Sequence, residues 1–143
     1  MTPLLLAFQF LTILPLRAGL KVRDGDLARS MGYYPMVGAC IGLLSAGAYF
    51  ILMRWMGTSA AIVSAIVIPI CLSGALHLDG FADFCDGFYA GKNKEEILAI
   101  MKDSHSGAMA VVGLFCLLAL KLAFLAGIPE TFFVDKAGQL RAM

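Results

Sequence analysis

Three apolar stretches constrain this chain most, because each is long enough to cross a lipid bilayer. They cover residues 36–56, 58–78 and 107–128, and about 20 apolar residues suffice for a helix to cross roughly 30 Å of hydrocarbon. Arg54 and Lys121 are the only Lys, Arg, Asp or Glu residues inside them. Across the chain 60% of residues are hydrophobic and 15% are charged, against roughly 25% charged in soluble domains. The sequence therefore predicts an all-α, polytopic transmembrane helix bundle embedded in a lipid bilayer.

The connections between these stretches predict how the spans are arranged. Gly57 and Thr58 are the only turn residues between the first two spans, so we expect a tight antiparallel hairpin there. Pro69 lies in the middle of the second span and predicts a kink. The apolar segment 4–16 is short, and a short span, a re-entrant element and an interfacial helix are all open for it.

Basic residues predict the orientation of the bundle, because cytoplasmic loops are enriched in Lys and Arg. Seven basic residues fall in the loops 17–35 and 79–106, which lie on one side: Arg17, Lys21, Arg23, Arg29, Lys92, Lys94 and Lys102. The other side has Arg54, Lys136 and Arg141. We therefore expect the side with seven basic residues to be cytoplasmic. The net charge of +1 gives no footprint for nucleic acid.

Acidic residues are concentrated in the second of these loops, which holds six of the ten in the chain. Asp79, Asp83 and Asp86 are spaced i, i+4, i+7, which places them on a helix stripe roughly 60° wide. Carboxylates on one stripe repel each other, and a bound cation neutralises them. Oxygen ligands favour Mg²⁺ or Mn²⁺. The alternatives to a metal site are that the three aspartates form a solvated helix face, cap a helix, or make ion pairs with nearby lysines.

A second polar group follows the aspartates. Asn93 and Glu96 form a capping-box pattern for a short helix, which leads to Lys102, Asp103 and His105. These three side chains predict a phosphate contact, a further metal ligand and a proton acceptor. The alternative is that they are ordinary polar residues beside a membrane. Lys121 lies mid-span, where an ionisable side chain indicates a buried partner or a role in the site.

Four segments of the sequence carry a family resemblance. GALHLDGFADFCDG at 74–87 is joined, in order, by FLTILP at 10–15, YPMVG at 34–38 and MKDS at 101–104. Together they resemble the cobalamin synthase family, adenosylcobinamide-GDP ribazoletransferase, up to about residue 121. Ser106 departs from that pattern, which usually has an aliphatic residue before the glycine.

The resemblance implies a multi-pass enzyme of the bacterial inner membrane with its Asp-rich loop in the cytoplasm. It would join adenosylcobinamide-GDP to α-ribazole or its 5′-phosphate, releasing GMP with Mg²⁺ as cofactor. Asp79, Asp83 and Asp86 would hold the metal against the substrate pyrophosphate. Lys102 and Asp103 would help to position the pyrophosphate. His105 is the candidate base.

Members of that family are longer, with further spans and another acidic motif. We therefore expect residues 1–143 to form a single integral membrane domain, truncated at its C-terminus relative to the family. It would be a fragment, a frame-shifted product, or a short variant that acts as a homo-oligomer. The alternative functions are a lipid alcohol phosphotransferase, a non-catalytic cation-binding or transport subunit, and an inactive remnant.

Overall fold

The computed structural model describes residues 2–16, 22–23, 25–103 and 105–128. Within these ranges the chain is helical and contains no strand, which confirms the all-α prediction. The described residues form seven α-helices: α1 (Thr2–Leu11), α2 (Asp26–Ser30), α3 (Tyr34–Met56), α4 (Thr58–Ser73), α5 (Leu76–Ala90), α6 (Lys94–Ile100) and α7 (Ala108–Ala126). A 3₁₀ turn, Met31–Tyr33, joins α2 to α3.

Two of the predicted spans are confirmed as long apolar helices. α2, the 3₁₀ turn and α3 run on as one helical stretch, Asp26–Met56, and α7 forms the other; both are long and apolar enough to cross a membrane. The predicted hairpin after α3 is also present. Gly57 alone separates α3 from α4 and has φ of 87°, a positive φ that glycine adopts without steric cost.

The second predicted span is not one helix. α4 ends at Ser73, α5 begins at Leu76, and the two meet at 90°. Gly74 and Ala75 both adopt left-handed conformations, with φ of 61° and 60°, and the N–H of Ala75 donates to Ile70 O at 2.9 Å. These two residues end the helix, whereas α4 continues through Pro69, and the kink predicted at that proline stays a prediction. The bent pair still fits one broken span, or a re-entrant loop, by length and composition.

Small side chains form the buried part of the bundle, and large apolar side chains lie outside. The fully or nearly buried apolar residues include Ala7, Val37, Ala61, Ala82 and Ala110. Large side chains on the outer surface include Leu43, Trp55, Phe115 and Phe124, each more than 70% exposed. This inversion is expected where helices associate through small residues and present their large ones to lipid tails.

The N-terminal helix packs beside the bend between α4 and α5. α1 has ten residues and is about 15 Å long, too short to cross the bilayer alone. Phe10 stacks on Tyr34 with ring centroids 5.9 Å apart. Just past α1, the N–H of Ile13 donates to Leu72 O at 2.9 Å. The start of the chain is thereby attached to the end of α4.

Candidate functional site

The site is built on α5, which packs against α7 and α6. A Cβ added at Gly113 of α7 would overlap Cys85 Sγ, and one added at Gly87 would lie 2.7 Å from Met101 Cγ. Glycine at these two positions lets the neighbouring segments approach α5 closely. Ala82 and Cys85 are buried on α5. The helix that carries the three aspartates is therefore held on two sides.

Asp86 is the buried aspartate of the three, with 8% of its surface exposed. Its Oδ2 accepts the N–H of Gly107 at 2.5 Å, and its Oδ1 accepts the N–H of Ala110 at 2.8 Å. Gly107 is the N-cap residue of α7 and Ala110 lies in its first turn, where N–H groups have no partner within the helix. Asp86 thus caps a helix that begins more than 20 residues further along the chain. These contacts are those of a helix cap, which is one of the alternatives to a metal site for the three aspartates. A metal-binding role of Asp86 stays a prediction.

Asp79 and Asp83 lie one turn apart on α5, closer to the bend. Asp79 is exposed and Asp83 is half-buried. Among the described residues no group of three or more His, Cys, Asp or Glu side chains is placed to hold a metal ion, so the structure does not bring the three predicted ligands together. Two carboxylates at i, i+4 fit Mg²⁺, which usually takes one or two carboxylates and completes its shell with water and phosphate oxygens. Magnesium therefore stays a prediction, with Asp79 and Asp83 as the ligands that the structure leaves accessible.

α6 leads the chain from α5 to the second polar group. The N–H of Glu96 donates to Asn93 Oδ1 at 2.9 Å, which confirms the predicted cap. The Glu96 carboxylate accepts the N–H of Lys92, also at 2.9 Å. A capping box would instead have it accept the N–H of Asn93, the next residue. Ile97 packs where a Cβ on Gly91 would otherwise lie. These contacts fix α6 against the end of α5 and place Lys102 just beyond it.

Asp103 and His105 form an ion pair in the segment between α6 and α7. His105 Nδ1 lies 2.6 Å from Asp103 Oδ1, and the backbone N–H of His105 donates to the same oxygen at 3.2 Å. The hydrogen bond to Asp103, together with the charge of that carboxylate, raises the pKa of His105 above its usual value. Both side chains are exposed. The hydrogen bond at Nδ1 therefore orients the imidazole ring, and Nε2 is the nitrogen that can accept a proton from another molecule.

The Asp86 cap connects the two groups of polar residues. Gly107, which donates to Asp86, is two residues after His105. A Cβ at Gly107 would lie 2.6 Å from Asp86 Oδ1, so the backbone comes as close as glycine allows. Sequence reasoning missed this link. A glycine at a helix start indicates an unfilled cap, but nothing in the local sequence identifies a partner 21 residues away.

Lys121 and His77 are placed together elsewhere, at the bend between α4 and α5, where both line a cavity. Within the described residues the ion pair found is that of Asp103 with His105, and Lys121 takes part in no ion pair there. Lys121 is exposed in the described part of the chain, and both interpretations of this mid-span lysine, a buried partner or a role in the site, stay predictions.

The fold and these side chains define a helical membrane protein whose acidic residues are concentrated on a helix–loop–helix unit, α5 to α7. A family model described as "Cobalamin-5-phosphate synthase" matches residues 3–140, nearly the whole chain. The chain belongs to this family, as its sequence resemblance implied.

Curated relatives agree with the family model. The chain is 45% identical over 115 residues to an adenosylcobinamide-GDP ribazoletransferase of Geotalea daltonii, covering 80% of this chain and 47% of the relative. It is 41% identical over 138 residues to the protein of the same name from Desulforamulus reducens, covering 96% and 52%. The chain thus spans about half the length of the relatives that it matches. No solved structure matches it.

Proposed function

We propose that this chain contributes to adenosylcobinamide-GDP ribazoletransferase activity, a late step of cobalamin biosynthesis. The observation that carries the proposal is the α5–α7 unit, which lies inside the matched region and joins the aspartate helix to the Asp103–His105 pair through Asp86. Family membership favours this transfer over a lipid alcohol phosphotransferase or a cation-transport subunit.

The proposed reaction is transfer of one phosphoryl group. A ribose hydroxyl of α-ribazole, or of its 5′-phosphate, attacks the phosphorus attached to cobinamide. The bond between that phosphorus and the bridging oxygen of the diphosphate breaks, and GMP leaves with that oxygen. The cobinamide phosphate is then esterified to the ribose, and the hydroxyl proton has been released.

The chain's own residues have separate tasks in this proposal. His105 accepts the hydroxyl proton at Nε2, because Nδ1 is engaged by Asp103. Lys102, exposed at the end of α6, places a positive charge beside the diphosphate. Asp79 and Asp83 are the residues that would hold Mg²⁺, which when bound neutralises charge on the phosphoryl oxygens.

The proposed location follows from the apolar helices and the loop charges. We expect a bacterial inner membrane protein with α5, α6 and the segment to α7 on the cytoplasmic side. Action as a homo-oligomer stays a prediction.

Product analysis tests the proposal directly. The purified chain is incubated in detergent with MgCl₂, adenosylcobinamide-GDP and α-ribazole, and both GMP and the joined corrinoid are measured by chromatography. We expect equal amounts of the two products, and no GMP when α-ribazole is omitted or when EDTA replaces MgCl₂. GMP release without α-ribazole would indicate hydrolysis instead, and absence of both products would contradict the proposal for this chain.

A further inference from the structure

A cavity of about 340 Å³ lies at the bend between α4 and α5. Its lining comes from α1, α3, α4, α5 and α7, so five helices contribute to it. The volume is at the low end of the roughly 300–1,000 Å³ range of small-molecule sites.

Four of the ten lining residues are polar, and they come from four helices: Tyr34, Ser73, His77 and Lys121. Their chemistry is that of an anion site. The lysine supplies a positive charge, and the hydroxyls and imidazole supply hydrogen-bond donors. The Ser73 hydroxyl donates to Ile70 O at 3.3 Å, a long bond that an anion oxygen can replace. The other six residues are glycine, proline and aliphatic side chains.

The charge of the cavity is not balanced within the described residues. The lining contains no carboxylate, and Lys121 takes part in no ion pair recorded in the described part of the chain. A charged side chain within an apolar span is costly, and such residues usually pair or mark a ligand path. An anionic ligand at this position would remove the cost.

The cavity is separate from the proposed transfer site. His77 lies about 160° around α5 from Asp79, at 100° per residue, so the cavity is on the other side of the helix from the aspartates. None of the six residues assigned to metal binding or transfer lines it.

We propose that this cavity binds the phosphate group of an amphiphilic phosphate ester. The phosphate contacts Lys121 and accepts hydrogen bonds from Tyr34 and Ser73. The apolar part of the ligand lies along Leu11, Ile41 and Ile70, which supply the aliphatic wall. Two sources share this chemistry, a membrane phospholipid and a water-soluble phosphate or diphosphate. The inference does not depend on the transferase proposal.

Ligand binding to the purified chain in an uncharged detergent tests the inference, with native mass spectrometry as readout. The probes are phosphatidylglycerol, sodium diphosphate, and diacylglycerol as an amphiphile that lacks phosphate. The variants are Lys121→Gln, Lys121→Arg, and Lys94→Gln as a control lysine on the exposed surface of α6. We expect Lys121→Gln to bind a phosphate probe about tenfold more weakly or worse, since the variant loses a hydrogen bond between charged groups. Lys121→Arg retains binding, and Lys94→Gln binds as the unsubstituted chain does.

The probes distinguish the two sources. A loss confined to phosphatidylglycerol identifies a lipid, and a loss confined to diphosphate identifies a soluble ester. The inference would be overturned if the unsubstituted chain bound neither phosphate probe, or if Lys121→Gln bound the phosphate probes as tightly as the unsubstituted chain does. It would also be overturned if Lys121→Gln weakened the binding of diacylglycerol as much as that of the phosphate probes. Tyr34→Phe, which keeps the ring that stacks on Phe10, is the second variant should Lys121→Gln not fold. It is expected to bind about fivefold more weakly, and unchanged binding would count against the proposal.

Discussion

The carboxylate of Asp86 accepts the backbone N–H of Gly107, 21 residues further along the chain. This one contact ties α5 to the start of α7 and fixes the segment that carries Asp103 and His105. A negative charge at a helix N-terminus also interacts favourably with the helix dipole. Asp86 therefore has a structural task that can be measured apart from any metal.

Asp86→Ala is expected to destabilise the chain, because two amides of the α7 N-terminus lose a charged acceptor in a buried position. The expected loss in the free energy of unfolding is about 1–3 kcal/mol. Denaturant unfolding in detergent, followed by circular dichroism, measures it. Asp79→Ala is the matched control on the exposed part of the same helix and should change stability by less than about 0.5 kcal/mol. Equal effects of the two variants would contradict the cap.

Gly113→Ala should destabilise the contact between α5 and α7, because the added methyl overlaps Cys85 Sγ. Overpacking of this kind costs about 1–3 kcal/mol. Gly47→Ala on α3 is the control, since nothing lies within 4 Å of its added Cβ and alanine is the better helix former by about 1 kcal/mol. Unfolding of the two variants should therefore move in opposite directions. Stabilisation by both would mean that α5 and α7 do not pack so closely.

Ala75→Gly should stabilise the bend between α4 and α5, because Ala75 has φ of 60°. Only glycine adopts that conformation routinely, and the penalty for other residues is about 1–2 kcal/mol. Ala119→Gly on the exposed surface of α7 provides the contrast, with an expected loss of about 1 kcal/mol. Thermal unfolding of the two variants measures the difference in sign. A destabilising effect of Ala75→Gly would show that residue 75 is not left-handed.

The Asp103–His105 pair predicts a pH dependence. Asp103 raises the pKa of His105 above the ordinary value of 6.5. Because the pKa is higher in the folded chain, the contribution of the pair to stability is complete below pH 6.5. It is lost as the pH rises through the folded-state pKa. Histidine NMR titration of the unsubstituted chain should give a midpoint above 6.5 for His105, and Asp103→Asn should lower it. His77→Gln assigns the resonance, and an unchanged midpoint in Asp103→Asn would refute the pairing.

The same shift bears on the proposed transfer. His105 can accept a proton only when its ring is neutral, so activity should increase as the pH rises through the pKa of His105. In Asp103→Asn that rise should move to lower pH.

The sequence predicted those parts of the fold that depend on local pattern. Length and hydropathy located α3 and α7, a glycine located the hairpin at Gly57, and Asn93 capped α6 as its motif indicates. The bend was not predicted, because it requires left-handed geometry at Ala75, a residue type that carries no signal for it. The sequence left a helix cap open for the aspartates but did not identify Asp86 as the capping residue or α7 as the capped helix. The i, i+4, i+7 pattern describes one helix, and the contact that Asp86 makes is with another.

The rate of GMP release by Asp83→Asn, compared with that of Glu95→Gln, shows whether the aspartate face of α5 serves phosphoryl transfer. Asp83→Asn keeps the size of the side chain and removes its charge, and Glu95 is an exposed acid on α6 with no assigned role. We expect Asp83→Asn to lower the rate of Mg²⁺-dependent GMP release about 100-fold or more, as loss of one electrostatic contributor to a transition state usually does. Glu95→Gln should keep the rate of the unsubstituted chain. Equal rates in the two variants would contradict the role given to α5.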